Sequence, residues 1–119
     1  MIRVYTAPGS QSCRKVIAWL KEHNLSFIEK YFSSDLHANE LREILERCEN
    51  GTDDILSKNS KIIKSNKIDF DNMKMDELIA FIKANPSILK RPILMDEHRF
   101  QVGYNEEEIR TFIPRHQRG

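Results

Sequence analysis

Cysteine is scarce in this chain: Cys13 and Cys48 are the only two in 119 residues. That is too few to frame a disulfide-stapled fold, and neither has further ligands at the spacing of a structural zinc site. No metal and no cofactor is expected. Long apolar runs are also missing. None approaches the roughly 20 residues that a membrane helix needs, and Met1-Ile2-Arg3-Val4-Tyr5 lacks the charged start and apolar stretch of a secretory leader. The expectation is a cytoplasmic protein with no membrane partner. Excess charge is the third absence. Lys+Arg 19 against Asp+Glu 18 leaves +1, which generates no field strong enough to hold a free duplex by counterion release alone. Glycine and proline, at four each, form no linker, and the chain has no internal repeat.

What is present suits one modest core, with 39% hydrophobic residues over the whole chain. Residues 2–6 alternate and are rich in β-branched and aromatic side chains until Pro8-Gly9-Ser10 breaks the run, which predicts a strand ending in a loop. From Cys13 onward, Val16, Ile17 and Leu20 fall at helical spacing. Ser10 or Ser12 can cap the start of that helix and Asn24 can close its end. Residues 26–32 read as a second strand, set parallel to the first by the helical crossover. Leu41, Ile44, Leu45 and Cys48 mark another helix, with caps on offer from Ser33-Ser34-Asp35. Gly51 sits where a helix end needs φ > 0.

The polar stretch from Thr52 to Phe70 has only Ile55, Leu56, Ile62 and Ile63 to bury, so one or two short surface helices are expected there. Met75, Leu78, Ile79 and Ile82 define an amphipathic helix that Asn85-Pro86 stops. Ile93-Leu94-Met95 and Phe100-Gln101-Val102 then read as a hairpin. Asn105-Glu106-Glu107-Glu108 reads as a capping box opening a helix that buries Ile109, Phe112 and Ile113.

Strand, helix, strand, several helices, hairpin and helix follow the order of the thioredoxin fold. The expected class is therefore α/β, a thioredoxin-like mixed four-stranded sheet in a single domain spanning 1–119. A helical insertion at about 35–86 separates its second and third strands. In that fold a cis-proline precedes the hairpin, which makes Pro92 cis and sets Arg91 near Ser10 and Cys13. An ordinary strand-entry proline is the plain alternative.

Four segments carry a resemblance: Tyr5-Thr6-x-Pro8-x-x-x-Ser12-Cys13-Arg14-Lys15, Glu49-Asn50-Gly51-Thr52-Asp53-Asp54, Leu89-x-Arg91-Pro92-Ile93 and Gln101-Val102-Gly103-Tyr104-Asn105-Glu106-x-Glu108-Ile109. Together they resemble the Spx family of transcription regulators over nearly the whole chain. The resemblance implies the arsenate-reductase branch of thioredoxin-like folds and a global regulator of the thiol and oxidative stress response. It implies binding to the C-terminal domain of the RNA polymerase α subunit, with promoter DNA met only within the polymerase complex. It further implies a redox switch, usually C-x-x-C, at the start of the first helix. Here that segment is Ser10-Gln11-Ser12-Cys13, so a hydroxyl stands in place of the first thiol, by loss or by replacement, and a local disulfide cannot form. Family members commonly run past the position of Gly119 with a tail read by Clp proteases, which makes that system an expected partner of such a tail.

Each candidate residue also has a plainer reading. Cys13, at a helix N-terminus beside Arg14 and Lys15, is placed to favour a thiolate, or is an inert, half-buried thiol. Cys48 reads as core. The resemblance makes Arg91 an oxyanion-binding or switch-sensing residue, and the alternative is a surface ion pair. For Gly51, a helix-terminal role suffices, while the resemblance adds contact with the polymerase α domain, shared with Tyr5, Thr6 and Ser12. Lys58, Lys61, Lys64 and Lys67 recur every three residues and could share a helical stripe facing promoter phosphates, or form a solvated basic face. No catalytic residue is expected. An arsenate reductase or thiol-disulfide oxidoreductase is the rival class, and a serine hydroxyl at position 10 without a base does not replace its thiol nucleophile.

Overall fold

A strand with hydrogen-bonded neighbours on both sides organises the sheet. The computed structural model describes residues 1–32, 34–49, 51–57 and 60–112. Its strands are β1 (Ile2–Thr6), β2 (Phe27–Tyr31), β3 (Ile93–Met95) and β4 (Phe100–Val102), in the order β2-β1-β3-β4. β1 runs parallel to β2, with Ile2 opposite Phe27 and Thr6 opposite Tyr31. It runs antiparallel to β3, with Tyr5 opposite Ile93 and Val4 opposite Leu94, and β3 and β4 close the hairpin. The mixed α/β sheet expected from the pattern of the sequence is the one found.

The chain divides into two compact units, one built from residues 1–32 and 91 onward, the other from 33–90. The expected insertion at 35–86 falls inside the second.

In the first unit, α1 (Gln11–Glu22) buries Cys13, Val16 and Leu20. Val16 and Leu20 meet Ile2, Val4 and Leu94 from one face of the sheet, joined by Ile109 and Phe112. Each such aliphatic side chain contributes on the order of 1.5–3 kcal/mol by leaving water. Of the two serines offered as caps, Ser10 is the one used: its side chain accepts from the Cys13 amide at 3.3 Å. At the other end Asn24 takes φ 54. The Leu25 amide reaches Leu20 O at 3.0 Å and the Asn24 amide reaches Lys21 O at 3.1 Å, the paired bonds of a Schellman closure. After β4, Asn105 Oδ1 accepts from the amides of Glu107 and Glu108. The following segment is a short 3-10 turn (Glu108–Phe112) rather than the expected α-helix, and it buries Ile109 and Phe112; Ile113 lies outside the described residues.

The second unit holds α2 (Ala38–Arg47), α3 (Lys61–Asn66) and α4 (Met75–Ala84), with 3-10 turns at Gly51–Asp54, Phe70–Asn72 and Pro86–Ile88. Two expectations about α2 are corrected. Its N-cap is His37 rather than any of residues 33–35, because Leu36 is drawn into the interior before the helix can begin. Its last residue is Arg47, and Cys48 leaves in an extended conformation (φ −71, ψ 124). Ile55, Leu56 and Ile63 are buried as expected, and so are Leu78, Ile79 and Ile82 of α4. No helix among the described residues is long and apolar enough to cross a membrane.

The Schellman closure predicts that Asn24→Gly leaves stability nearly unchanged, whereas Asn24→Ala costs about 1 kcal/mol by forcing a Cβ into the left-handed region. Urea unfolding monitored by circular dichroism measures both.

Candidate functional site

The chemistry suggested by the sequence gathers where β1 ends and α1 begins. Pro8 and Gly9 form an exposed turn, with Gly9 at φ 79, and the chain enters α1 through the Ser10 cap. Cys13 is 4% exposed and Ser12 is partly buried. Ser10 and Cys13 thus sit within one helical turn, with the Ser10 oxygen already engaged by the Cys13 amide.

β3 brings its start to the same end of the sheet. The Arg91–Pro92 peptide is cis, as expected, and the Pro92 carbonyl accepts from the Gly103 amide at 2.7 Å. Since Tyr5 lies opposite Ile93, the antiparallel register carries the Arg91–Pro92 step alongside the start of the loop that leads to Ser10.

Tyr5 and Thr6 correct an expectation. Both were expected to touch a partner, yet Tyr5 is 0% and Thr6 1% exposed. They lie on the interior strand, where Tyr5 stacks on Phe32 with ring centroids 6.2 Å apart and its hydroxyl accepts from Arg3 Nη1. Thr6 Oγ1 donates to Glu29 Oε2 at 3.0 Å. Neither side chain has surface to offer.

No base stands ready to activate Ser10 among the described histidines of its unit. His23 caps the far end of α1, about 20 Å along the helix axis from Ser10 at roughly 1.5 Å per residue. Its ring stacks on Trp19 and its Nδ1 lies 2.9 Å from Trp19 O. His98 lies in the β3–β4 turn, at the end of β3 away from Pro92. His37 belongs to the second unit as the α2 cap, and His116 lies outside the described residues.

In the second unit Gly51 is exposed at φ 71, and nothing lies within 4 Å of where a Cβ would stand. The positive φ expected of it is present, but its role differs: α2 ends at Arg47, so Gly51 opens the 3-10 turn Gly51–Asp54 instead of terminating a helix. That turn closes on Thr52 O, which accepts from the amides of Ile55 and Leu56 at 3.2 and 2.9 Å. The lysine stripe is shorter than expected. Lys61 and Lys64 share α3 and are exposed, whereas Lys67 leaves the helix at φ 47, and Lys58 lies outside the described residues.

Cys48 is only partly buried, not the core residue expected. Its Sγ donates to Ile44 O at 3.3 Å. Burial, with the Asp54 carboxylate adding to it, pushes its thiol up to about 11, so it is neutral at physiological pH. Sequence reasoning missed Lys90, whose ammonium donates to Asp53 O at 3.0 Å. No local pattern signals a contact between residues so far apart in the chain.

Residues 5–112 match the profile of the ArsC family. The global transcriptional regulator Spx 1 of Oceanobacillus iheyensis is 48% identical over 116 residues, covering 97% of this chain and 88% of that one. The chain belongs to the Spx family. The global transcriptional regulator Spx of Bacillus subtilis is 45% identical over the same share of both chains. The fold is shared more widely: an arsenate reductase from Vibrio cholerae superposes with a TM-score of 0.70 at 16% identity, over 85% of this chain and 87% of that one. What this Spx-family chain has at its first helical turn is a capping hydroxyl and one buried thiol.

Two outcomes follow. Ser10→Cys sets two thiols one helical turn apart, at a Cβ separation of about 5–6 Å that a small shift closes to disulfide range. Diamide should then remove two free thiols by Ellman titration, while the unsubstituted chain loses none. For Cys48, the folded state holds its proton to about 11 against 9.0 for an ordinary thiol. Its contribution to stability is therefore present below pH 9 and lost as pH rises from 9 toward 11. Denaturant midpoints at pH 8 and pH 10.5 should fall less in Cys48→Ala than in the unsubstituted chain.

Proposed function

We propose that this chain is a non-catalytic regulator of transcription that docks on the C-terminal domain of the RNA polymerase α subunit, with the Gly51–Asp54 turn as its principal contact. The observation that carries this is the exposed Gly51 at φ 71 with open space around it. A residue without a side chain at the start of a surface turn lets a partner's backbone approach closely. Relatives at 45–48% identity are named global transcriptional regulators, which agrees with a regulatory role. Ser12, in the first unit, is a separate candidate contact. Arg91, which the β1–β3 register brings to the same end of the sheet as the loop before α1, is the candidate switch-sensing residue for the Ser10–Cys13 segment.

Catalysis is argued against by chemistry. An alcohol, whose pKa lies far above the physiological range, needs a base to become a nucleophile, and a helix terminus shifts a pKa by far too little to stand in for one. The likeness to arsenate reductases, at 16% identity for the Vibrio cholerae enzyme, concerns the fold alone.

Promoter DNA is met within the polymerase complex. A net charge of +1 gives weak duplex binding, and tethering through the α domain raises the local concentration of DNA around Lys61 and Lys64, with Lys58 as a third candidate.

Isothermal titration with the isolated α C-terminal domain tests the docking. Gly51→Arg should abolish binding while circular dichroism still reports a cooperative melt. Gly51→Asn, which tolerates the left-handed region, should keep the fold within about 0.5 kcal/mol of the parent. Near-native affinity in a folded Gly51→Arg protein removes the turn from the interface.

A further inference from the structure

The Gly51–Asp54 turn is braced by a segment far away in sequence. Residues 55–57 and 88–90 form a short antiparallel pairing, in which Leu56 bridges Leu89, the Ser57 amide donates to Ile88 O at 2.8 Å and the Lys90 amide donates to Ile55 O at 2.7 Å. Ile55, Leu56, Ile88 and Leu89 are at most 1% exposed, so the backbone of this clamp is anchored in the interior of its unit. From that fixed backbone the Lys90 side chain reaches over the surface, and its ammonium donates to Asp53 O at 3.0 Å.

The carbonyls that end a 3-10 turn lack partners within the turn, and a cation there both bonds one of them and complements the local dipole. A lone exposed lysine holds little, because ordering its long stem costs entropy. Lys90 differs in that its own amide is already tied to Ile55 O. The stem therefore starts from a fixed point, and one residue grips the turn on both sides of Asp54.

We propose that Lys90 is a positioning residue for the docking turn: by holding Asp53 O it fixes the orientation in which Gly51–Asp54 is offered to the polymerase α domain. This rests on the docking role proposed above. Lys90 acts through the turn, and its ammonium does not touch the partner.

The experiment compares Lys90→Met, which keeps the stem and removes the donor, with Lys90→Arg, which keeps a donor. Amide hydrogen exchange at Ile55 and Leu56 is measured in the free protein, and affinity for the isolated α C-terminal domain by titration. Lys90→Met should speed exchange at both amides and weaken binding, each about fivefold, while Lys90→Arg stays within about twofold of the parent. Weakened binding with unchanged exchange overturns the proposal, because the ammonium would then be meeting the partner directly. Unchanged binding in Lys90→Met also overturns it. Failure of the unsubstituted chain to bind overturns the docking role itself and this inference with it, and that result is seen before any variant is made.

Discussion

β1 has a strand on each side, parallel to β2 and antiparallel to β3, and the first unit depends on that double pairing. Val4 and Tyr5 are wholly buried as a consequence. A slip of one residue would exchange the two faces of the strand, taking Val4 away from Val16 and Leu20 and turning Tyr5 toward α1. The same pairing determines where the loop before α1 leaves the sheet and which residues of the returning chain run beside it. That the loop leading to Ser10 and the Arg91–Pro92 step leave the sheet at the same end is thus a product of sheet register.

At that neighbourhood the local chemistry is quiet for reasons that can be named. Ser10 is a good helix cap and a poor nucleophile: its oxygen accepts from the Cys13 amide, and the described histidines of its unit lie at the other end of α1 or of β3. Cys13 is shielded by burial, and Cys48 is held as a thiol by burial and by Asp54. The remaining candidate features of this Spx-family chain, the Gly51 turn and the lysines Lys61 and Lys64, lie exposed on the surface.

The second unit is built from helices too short to persist alone in water, α3 having only six residues. Ser60 accepts from the Ile62 amide to cap it, and burial of Ile63 fastens it down. Between α2 and α4, Arg42 meets Asp76 at 3.0 Å, an exposed pair that adds little to stability. The order of the unit comes instead from apolar residues spread thinly along the segment and drawn together, with the pairing of 55–57 and 88–90 tying its middle to its C-terminal end.

The sequence by itself determined the elements whose signals are local. Alternation marked β1, two short runs about a turn marked the hairpin, helical spacing marked α1, α2 and α4, and the caps on offer, Ser10 or Ser12 and Asn24, marked the limits of α1. A positive φ at Gly51 was legible for the same reason, as was the family, from four short segments in order. Tertiary structure alone decided that Tyr5 and Thr6 are interior, because burial at a central strand depends on neighbours from both ends of the chain. It also decided that α2 ends at Arg47, which left Gly51 to open a turn, and that Lys90 meets Asp53. The burial of Tyr5 and Thr6 and the contact of Lys90 with Asp53 arise from pairings across tens of residues, and the energy of a pairing resides in two segments at once, where no window of sequence can display it.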